Sequence, residues 1–187
     1  MRADSDFLSQ AKLLVVLVIG YTIFYFFNNY LTQFLYLLPG AHLIHLPSGI
    51  KILMVLITGW VGGLAIFIAG LLWGLLIAFP GQYALVLLLS AMGALVPSLV
   101  CQFFTRRFAL NEDLSNLSWQ IMLGIAISFA FFNSLAIQSI LDLSDPKHEL
   151  ANGFVVMFLG DLTGIMLVYL SARWLGPSIL RKLTKIN

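Results

Sequence analysis

Long uncharged stretches dominate the chain, and the breaks between them predict its helices. Residues 13–50 carry no Asp, Glu, Lys or Arg and are broken at Pro39-Gly40, and residues 52–105 are also free of these charges. A helix needs about 20 apolar residues to cross the hydrocarbon core of a bilayer. The second stretch is therefore long enough for two or three crossings, with breaks expected at Gly59-Trp60-Val61-Gly62-Gly63 and at Pro80-Gly81.

The positive charges favour three crossings in this stretch, and six in the whole chain. Eight of the ten basic residues then share one side, and the positive-inside rule makes that side cytoplasmic: Arg2, Lys12, Arg106, Arg107, Arg173, Arg181, Lys182 and Lys185. Both termini are thus expected in the cytoplasm, and Trp60, Trp119 and Trp174 at that interface. The predicted spans are about residues 13–38, 46–61, 63–79, 82–104, 119–140 and 152–174.

Composition agrees with a membrane protein and excludes a soluble domain. Of the 187 residues, 60% are hydrophobic and only 10% are charged, whereas a soluble domain carries roughly 25% charge. We expect one all-α, polytopic transmembrane helical bundle over residues 1–187, in the bacterial cytoplasmic (inner) membrane. Nucleic-acid binding needs a clustered basic face, and the sequence shows none. Cys101 is the only cysteine, so an intrachain disulfide is impossible.

Asp161 is the sharpest chemical signal. It lies in residues 153–171, a run with no other charged residue, about 18 Å along the helix from Arg173. A carboxylate near mid-membrane costs at least about 2.5 kcal/mol unless it is paired, protonated or solvated. Asp161 is therefore expected either to bind a cation, proton or ligand, or to join helices through hydrogen bonds.

Four further residues are expected near Asp161. Lys51 lies at a similar predicted depth, so it is expected to form an ion pair with Asp161 or to share a polar cavity with it; the alternative is that Lys51 extends to the interface. Asn133 and Gln138 on the fifth span are predicted to complete the cavity, and His45 to line its outer mouth.

Other patterns predict packing and surface structure rather than chemistry. Gly63, Gly70 and Gly74 can share one helix face, which favours close helix packing, with dimerisation as the alternative. Leu110, Leu114 and Leu117 predict a short interfacial helix where a partner protein could dock. Because no P-loop, HExxH, CxxC or serine-protease pattern is present, we expect no enzymatic activity, no metal and no cofactor.

Two motifs resemble the MASE1 integral membrane sensory domain of bacteria: Leu46-Pro47-Ser48-Gly49-Ile50, and a Gly-Asp-x-x-Gly element at residues 160–164. The resemblance loosely covers residues 13–171 and implies a sensory role. Carried over by position, Pro47, Gly49, Gly160, Asp161 and Gly164 are the candidate functional residues. The family usually precedes a cytoplasmic output domain; this sequence shows none, and it lacks the family's charged loop after the second span.

Three functions are therefore considered. The first is a sensory domain that binds a small molecule and acts through a separate signalling protein. The second is a small transporter, or the substrate-binding subunit of an energy-coupling-factor uptake system. The third is a structural or assembly subunit of a membrane complex. Each has the lipid bilayer as a partner, and a homo-oligomer stays open in all three.

Overall fold

Helices make up nearly all of the chain that the structure describes. This computed structural model describes residues 2–32, 36–38, 41–42, 44–145 and 149–183, with the side chains of residues 7–31, 44–145 and 149–174. In chain order the elements are α1 (Arg2–Thr32), β1 (Tyr36–Leu38), β2 (Ala41–His42), α2 (Leu46–Thr58), α3 (Trp60–Trp73), a π-helical segment (Gly74–Ala78), α4 (Tyr83–Arg107), α5 (Trp119–Ser144) and α6 (Leu150–Leu183).

Five helical segments are long and apolar enough to cross a bilayer. They contain 19 to 26 residues: Phe7–Leu31, Trp60–Ala78, Tyr83–Arg107, Trp119–Ser144 and Leu150–Trp174. The remaining helix, α2, has 13 residues and spans only about 20 Å. This length is less than the roughly 30 Å hydrocarbon core. The predicted fold class, an all-α multi-pass membrane bundle, is confirmed.

The segment between α1 and α2 differs from the prediction. The first span was expected to continue to residue 38, but α1 ends at Thr32, and β1 and β2 form a short antiparallel hairpin that packs against α6. The backbone N–H of His45 then donates to the carbonyl of Gly160, 3.0 Å away. Gly160 lies ten residues into α6, so α2 begins about 15 Å from the start of α6. The hairpin thus takes the place of the end of the predicted first span, and the predicted second span is the shorter helix α2.

Helix α2 is the central element of the bundle. It packs against α1, α3, α4 and α6, and α5 completes the ring by packing on α4 and α6. Fully buried side chains of α2, α5 and α6 form the core: Ile52, Met122, Ile125, Phe129 and Ile165. Helix α1 is peripheral, and most of its side chains face outward.

Small residues bring α3 and α4 together, as the glycine spacing predicted. A Cβ atom added at Gly63 would lie 2.6 Å from Ser98 Oγ, and one at Gly74 would lie 2.5 Å from Val86 Cγ1. At Gly70 the nearest atom, Ser90 Oγ, would be 3.1 Å away. The glycine face of α3 therefore serves packing within the chain.

The connection between α4 and α5 contains turns instead of the predicted interfacial helix. Ala109 and Leu114 adopt positive φ angles of 46° and 56°, which interrupt a right-handed helix. Asn116 holds the connection by donating from its side chain to the carbonyl of Ala109. The backbone N–H of Ser115 donates to Asp113 and lowers the pKa of that exposed carboxyl.

One end of the bundle carries the interfacial residues expected for the cytoplasmic side. Trp60 begins α3, Trp119 begins α5, and Arg106 and Arg107 end α4. Because successive helices alternate in direction, these residues meet at the same end. Trp60, Trp119 and Trp174 are 64%, 54% and 80% exposed, as expected of indoles that face lipid headgroups.

Candidate functional site

The Asp161 carboxylate is fully buried and accepts hydrogen bonds from three side chains. The Ser48 hydroxyl donates to Oδ1 over 2.5 Å, and the Asn133 amide donates to Oδ2 over 2.7 Å. His45 Nδ1 lies 3.1 Å from Oδ1 and 2.8 Å from Ser48 Oγ. Since the serine hydroxyl donates to the carboxylate, both histidine contacts are favourable when Nδ1 carries a hydrogen. Protein donors thus replace the water that a carboxylate would otherwise need.

Three helices build this hydrogen-bonded site: α2 and α5 supply the donors, and α6 supplies the carboxylate. Ser48 lies in the first turn of α2, with Pro47 among the first helical positions, and His45 is the residue that precedes the helix. Asn133 comes from α5, and Asp161 itself lies on α6. The carboxylate therefore lies beside the N-terminus of α2, where the helix dipole favours negative charge.

Two glycines allow α2 to approach α6 this closely. A Cβ atom at Gly49 would lie 2.5 Å from Val168 Cβ, and one at Gly164 would collide with the carbonyl oxygen of His45. Gly160 supplies the carbonyl that accepts the His45 N–H. The motif residues Pro47, Gly49, Gly160 and Gly164 thus form one junction between α2 and α6, although more than 100 residues separate the two motifs.

A cavity of about 710 Å³ lies next to this junction. Its deep end is lined by Lys51, Asn133 and Asp161, and it extends to Gln82 and Ser144, which are exposed where α4 begins and α5 ends. The distance from Asn133 to Ser144 along α5 is about 16 Å. The cavity therefore reaches from the end of the bundle opposite Arg106 to its middle, and its volume falls in the range of small-molecule sites.

Four buried polar atoms on the cavity wall have no hydrogen-bond partner among the described residues: Tyr21 Oη, Thr22 Oγ1, Asn29 Oδ1 and Asn133 Oδ1. A buried polar atom without a partner costs about 1–3 kcal/mol. Native proteins satisfy most such atoms with protein, water or ligand. The residues that carry these atoms all line one cavity, so a polar occupant that reached the atoms would satisfy them.

Lys51 shares the cavity with Asp161 but forms no direct ion pair with it. Within the described ranges, the carboxylate contacts are those of Ser48, His45 and Asn133, while the two charges are close enough to interact electrostatically. The ammonium instead lies beside Gly93 on α4, where an added Cβ atom would be 3.7 Å from Nζ. The geometry thus corresponds to the shared cavity rather than the ion pair.

Two other predicted site residues occupy unexpected positions. Gln138 is buried, but its amide donates to Met157 Sδ, 3.4 Å away, and the side chain does not line the cavity. It points away because residues 133 and 138 are five apart, which places them on different faces of α5. His45 lines the cavity at the depth of Asp161, not at the outer mouth, because α2 begins inside the bundle.

Sequence reasoning missed the contribution of α1 and α3 to the site. Tyr21, Tyr25 and Trp73 line the cavity, with the rings of Tyr25 and Trp73 4.8 Å apart. The i, i+4 spacing of the two tyrosines was the available signal, since it places both on one helix face. Asn28 on α1 is fully buried, and its Oδ1 accepts the backbone N–H of Leu46.

Comparison with other proteins identifies no relative: no family model matches the chain, and no curated protein or solved structure matches it. The function is therefore argued from the geometry of the cavity and its walls.

Proposed function

We propose that this chain is a membrane-embedded receptor domain that binds a small molecule in its central cavity and acts through a separate partner protein. The observation that carries the proposal is that four residues lining one 710 Å³ cavity each hold a buried polar atom with no hydrogen-bond partner in the described part of the chain. A cavity needed only for folding would be expected to be apolar and small, because each unsatisfied group lowers stability.

The α2–α6 junction supports a signalling role for this binding. Lys51 and His45 contact the cavity from the α2 segment, and α2 ends at Thr58, beside Gly59, which has a φ of 60°. A ligand that moves the start of α2 would also move this turn at the end that carries Arg106 and Arg107. The resemblance to MASE1 sensory domains supports the same role, since its two motifs form the junction.

We further place the protein in the bacterial inner membrane, with the cavity mouth away from the cytoplasm. Arg106, Arg107 and Arg173 lie at the opposite end of the bundle from Gln82 and Ser144. The positive-inside rule assigns the cationic end to the cytoplasm. The ligand would therefore enter from outside.

An uptake subunit is the second candidate. Its specific support is that the described cavity lining stops at Lys51 and Asp161 and does not reach the cationic end. This shape suits a substrate-binding subunit that faces outward and depends on a partner for release. Accumulation of the ligand in cells together with an ATPase pair encoded nearby would favour uptake, whereas a neighbouring cyclase or kinase gene would favour sensing.

Blocking the cavity mouth tests ligand binding directly. Ala78 is exposed and lines the mouth, so Ala78→Trp should fill the entrance without disturbing the core. The matched control is Leu95→Trp, at a site that is 50% exposed on the outside of α4. Each protein is purified in lipid nanodiscs, and bound small molecules are extracted and identified by mass spectrometry.

We expect a small molecule to copurify with the unaltered chain and with Leu95→Trp, and to be at least about tenfold depleted in Ala78→Trp, which corresponds to about 1.4 kcal/mol of binding free energy. Equal amounts in all three proteins, or none in any, would contradict ligand binding in this cavity. The assembly role, in which Asp161 only joins helices, would then be the remaining function.

A further inference from the structure

The charges around the cavity differ in how far the protein already satisfies them. Asp161 accepts three hydrogen bonds from Ser48, His45 and Asn133, which use both of its oxygens. The side chain is completely buried. Protein donors therefore solvate the carboxylate, and neither of its oxygens is left without a hydrogen bond.

Lys51 presents the opposite case. Its ammonium has three donors, yet no carboxylate or other acceptor lies within bonding distance in the part of the chain that the structure describes. Its neighbour on α4 is Gly93, which has no side chain to offer. A positive charge deep in the bundle is unfavourable unless an anion or water compensates it.

The unsatisfied amides on the wall define the remaining polar contacts. Asn133 must turn its amide nitrogen toward Asp161, because a carboxylate only accepts hydrogen bonds. Its oxygen is then an acceptor without a partner, like Asn29 Oδ1. Two carbonyl-type acceptors on the wall favour a ligand that also carries N–H or O–H donors.

Aromatic rings form one side of the cavity and set the apolar part of the ligand. The ring of Tyr25 lies edge-on to the ring of His45, with 5.8 Å between the ring centroids. The centroid of the Trp73 ring is 4.8 Å from that of Tyr25. Flat ring systems pack well against such a wall, in stacked or edge-to-face arrangements. The ring wall and the Lys51 ammonium line the same cavity, so one ligand could contact both.

We infer that the cavity binds an aromatic carboxylate with at least one N–H or O–H donor, whose carboxylate pairs with Lys51. This inference rests on the proposed ligand-binding function and names its ligand class. The carboxylate compensates the Lys51 charge, the donor contacts Asn133 or Asn29, and the ring packs on Tyr25 and Trp73.

The test compares compounds that share a ring and carry a negative, a neutral or a positive polar group. The full chain in nanodiscs is dialysed at neutral pH against three matched series: phenylacetate, 4-hydroxyphenylacetate and indole-3-acetate, the corresponding amides, and the corresponding amines phenethylamine, tyramine and tryptamine. The variants are Lys51→Met, which keeps the length of the side chain, and Lys51→Arg, which keeps its charge. Lys12→Met is the matched control, because Lys12 is exposed on α1.

We expect the carboxylates to bind at least about tenfold more tightly than their amides, a difference of about 1.4 kcal/mol, and the hydroxylated and indole members to bind more tightly than phenylacetate. Lys51→Met should abolish the carboxylate preference, while Lys51→Arg and Lys12→Met should retain it. Thermal unfolding of each variant, followed by tryptophan fluorescence, checks that the bundle is intact.

The possible failures are distinct. Amides or amines that bind as tightly as the carboxylates would overturn the ligand class and leave the receptor proposal standing. A carboxylate preference that survives in Lys51→Met would overturn the role of Lys51. If no compound binds and no small molecule depends on the open mouth at Ala78, the proposed function itself fails.

Discussion

At the scale of single residues, Asp161 organises the site and Lys51 lines the cavity beside it. The carboxylate holds the start of α2, the middle of α5 and the middle of α6 together through Ser48, His45 and Asn133. Because the Asp161 side chain is completely buried, water does not compete for these hydrogen bonds. Asp161 thus fixes the walls of the cavity.

Replacing this carboxylate by an amide should destabilise the fold. Asp161→Asn keeps the size of the side chain, but its NH₂ group would face at least one of the three donors. We expect a loss of about 3 kcal/mol in the free energy of unfolding, measured by denaturant titration in detergent. Glu112→Gln, the same chemical change on an exposed loop, should stay within about 0.5 kcal/mol of the unaltered chain. Equal stabilities for the two variants would show that the hydrogen bonds to Asp161 do not hold the helices.

The sequence predicted the members of this site better than their contacts. Counting residues along each span estimates depth, and on that basis Lys51, Asn133 and Asp161 were expected near one another; all three line the cavity. Depth does not report rotation about the helix axis, which is why Lys51 faces Gly93 instead of Asp161. The Ser48 contact was not predicted, because it depends on α2 beginning inside the bundle.

At the scale of secondary-structure elements, the short helix α2 is the decisive feature. The hairpin and the loss of a full second span could not be read from residues 36–42, because an uncharged apolar run has no periodicity that separates strand from helix. Pro39-Gly40 predicted a break but not its form. The other spans were predicted well, since charges and Gly or Pro residues mark their ends.

The α2–α6 junction makes a prediction of its own. Gly164→Ala places a methyl group against the His45 carbonyl, so it should displace the start of α2 and lower stability by about 2 kcal/mol or more. Gly20→Ala is the matched control, because no atom lies within 4 Å of a Cβ atom added there. It should be neutral or slightly stabilising, since alanine favours helix. Thermal unfolding midpoints compare the two, and similar midpoints would contradict the close approach of α2 and α6.

At the scale of the whole molecule, the helical membrane bundle is closely packed at one end and opens to a polar cavity at the other. The closely packed end holds the core around Ile52 and Phe129, both completely buried. The open end begins where Gln82 and Ser144 are exposed. This asymmetry links the fold to the proposed function, since a ligand can enter from one side only.

The proposed function requires that water reaches the cavity from outside. Cysteine labelling measures this accessibility most directly. In a Cys101→Ala background, Ser90→Cys places a thiol on the cavity wall, and Ser134→Cys places one at a fully buried position that does not line the cavity. Cells are treated from outside with a small, charged, membrane-impermeant methanethiosulfonate reagent. We predict that the thiol at position 90 reacts at least about tenfold faster than the thiol at position 134, because thiols react as solvated thiolates. Equal rates at the two positions, or reaction at position 90 only after the membrane is permeabilised, would contradict an outward-facing polar cavity.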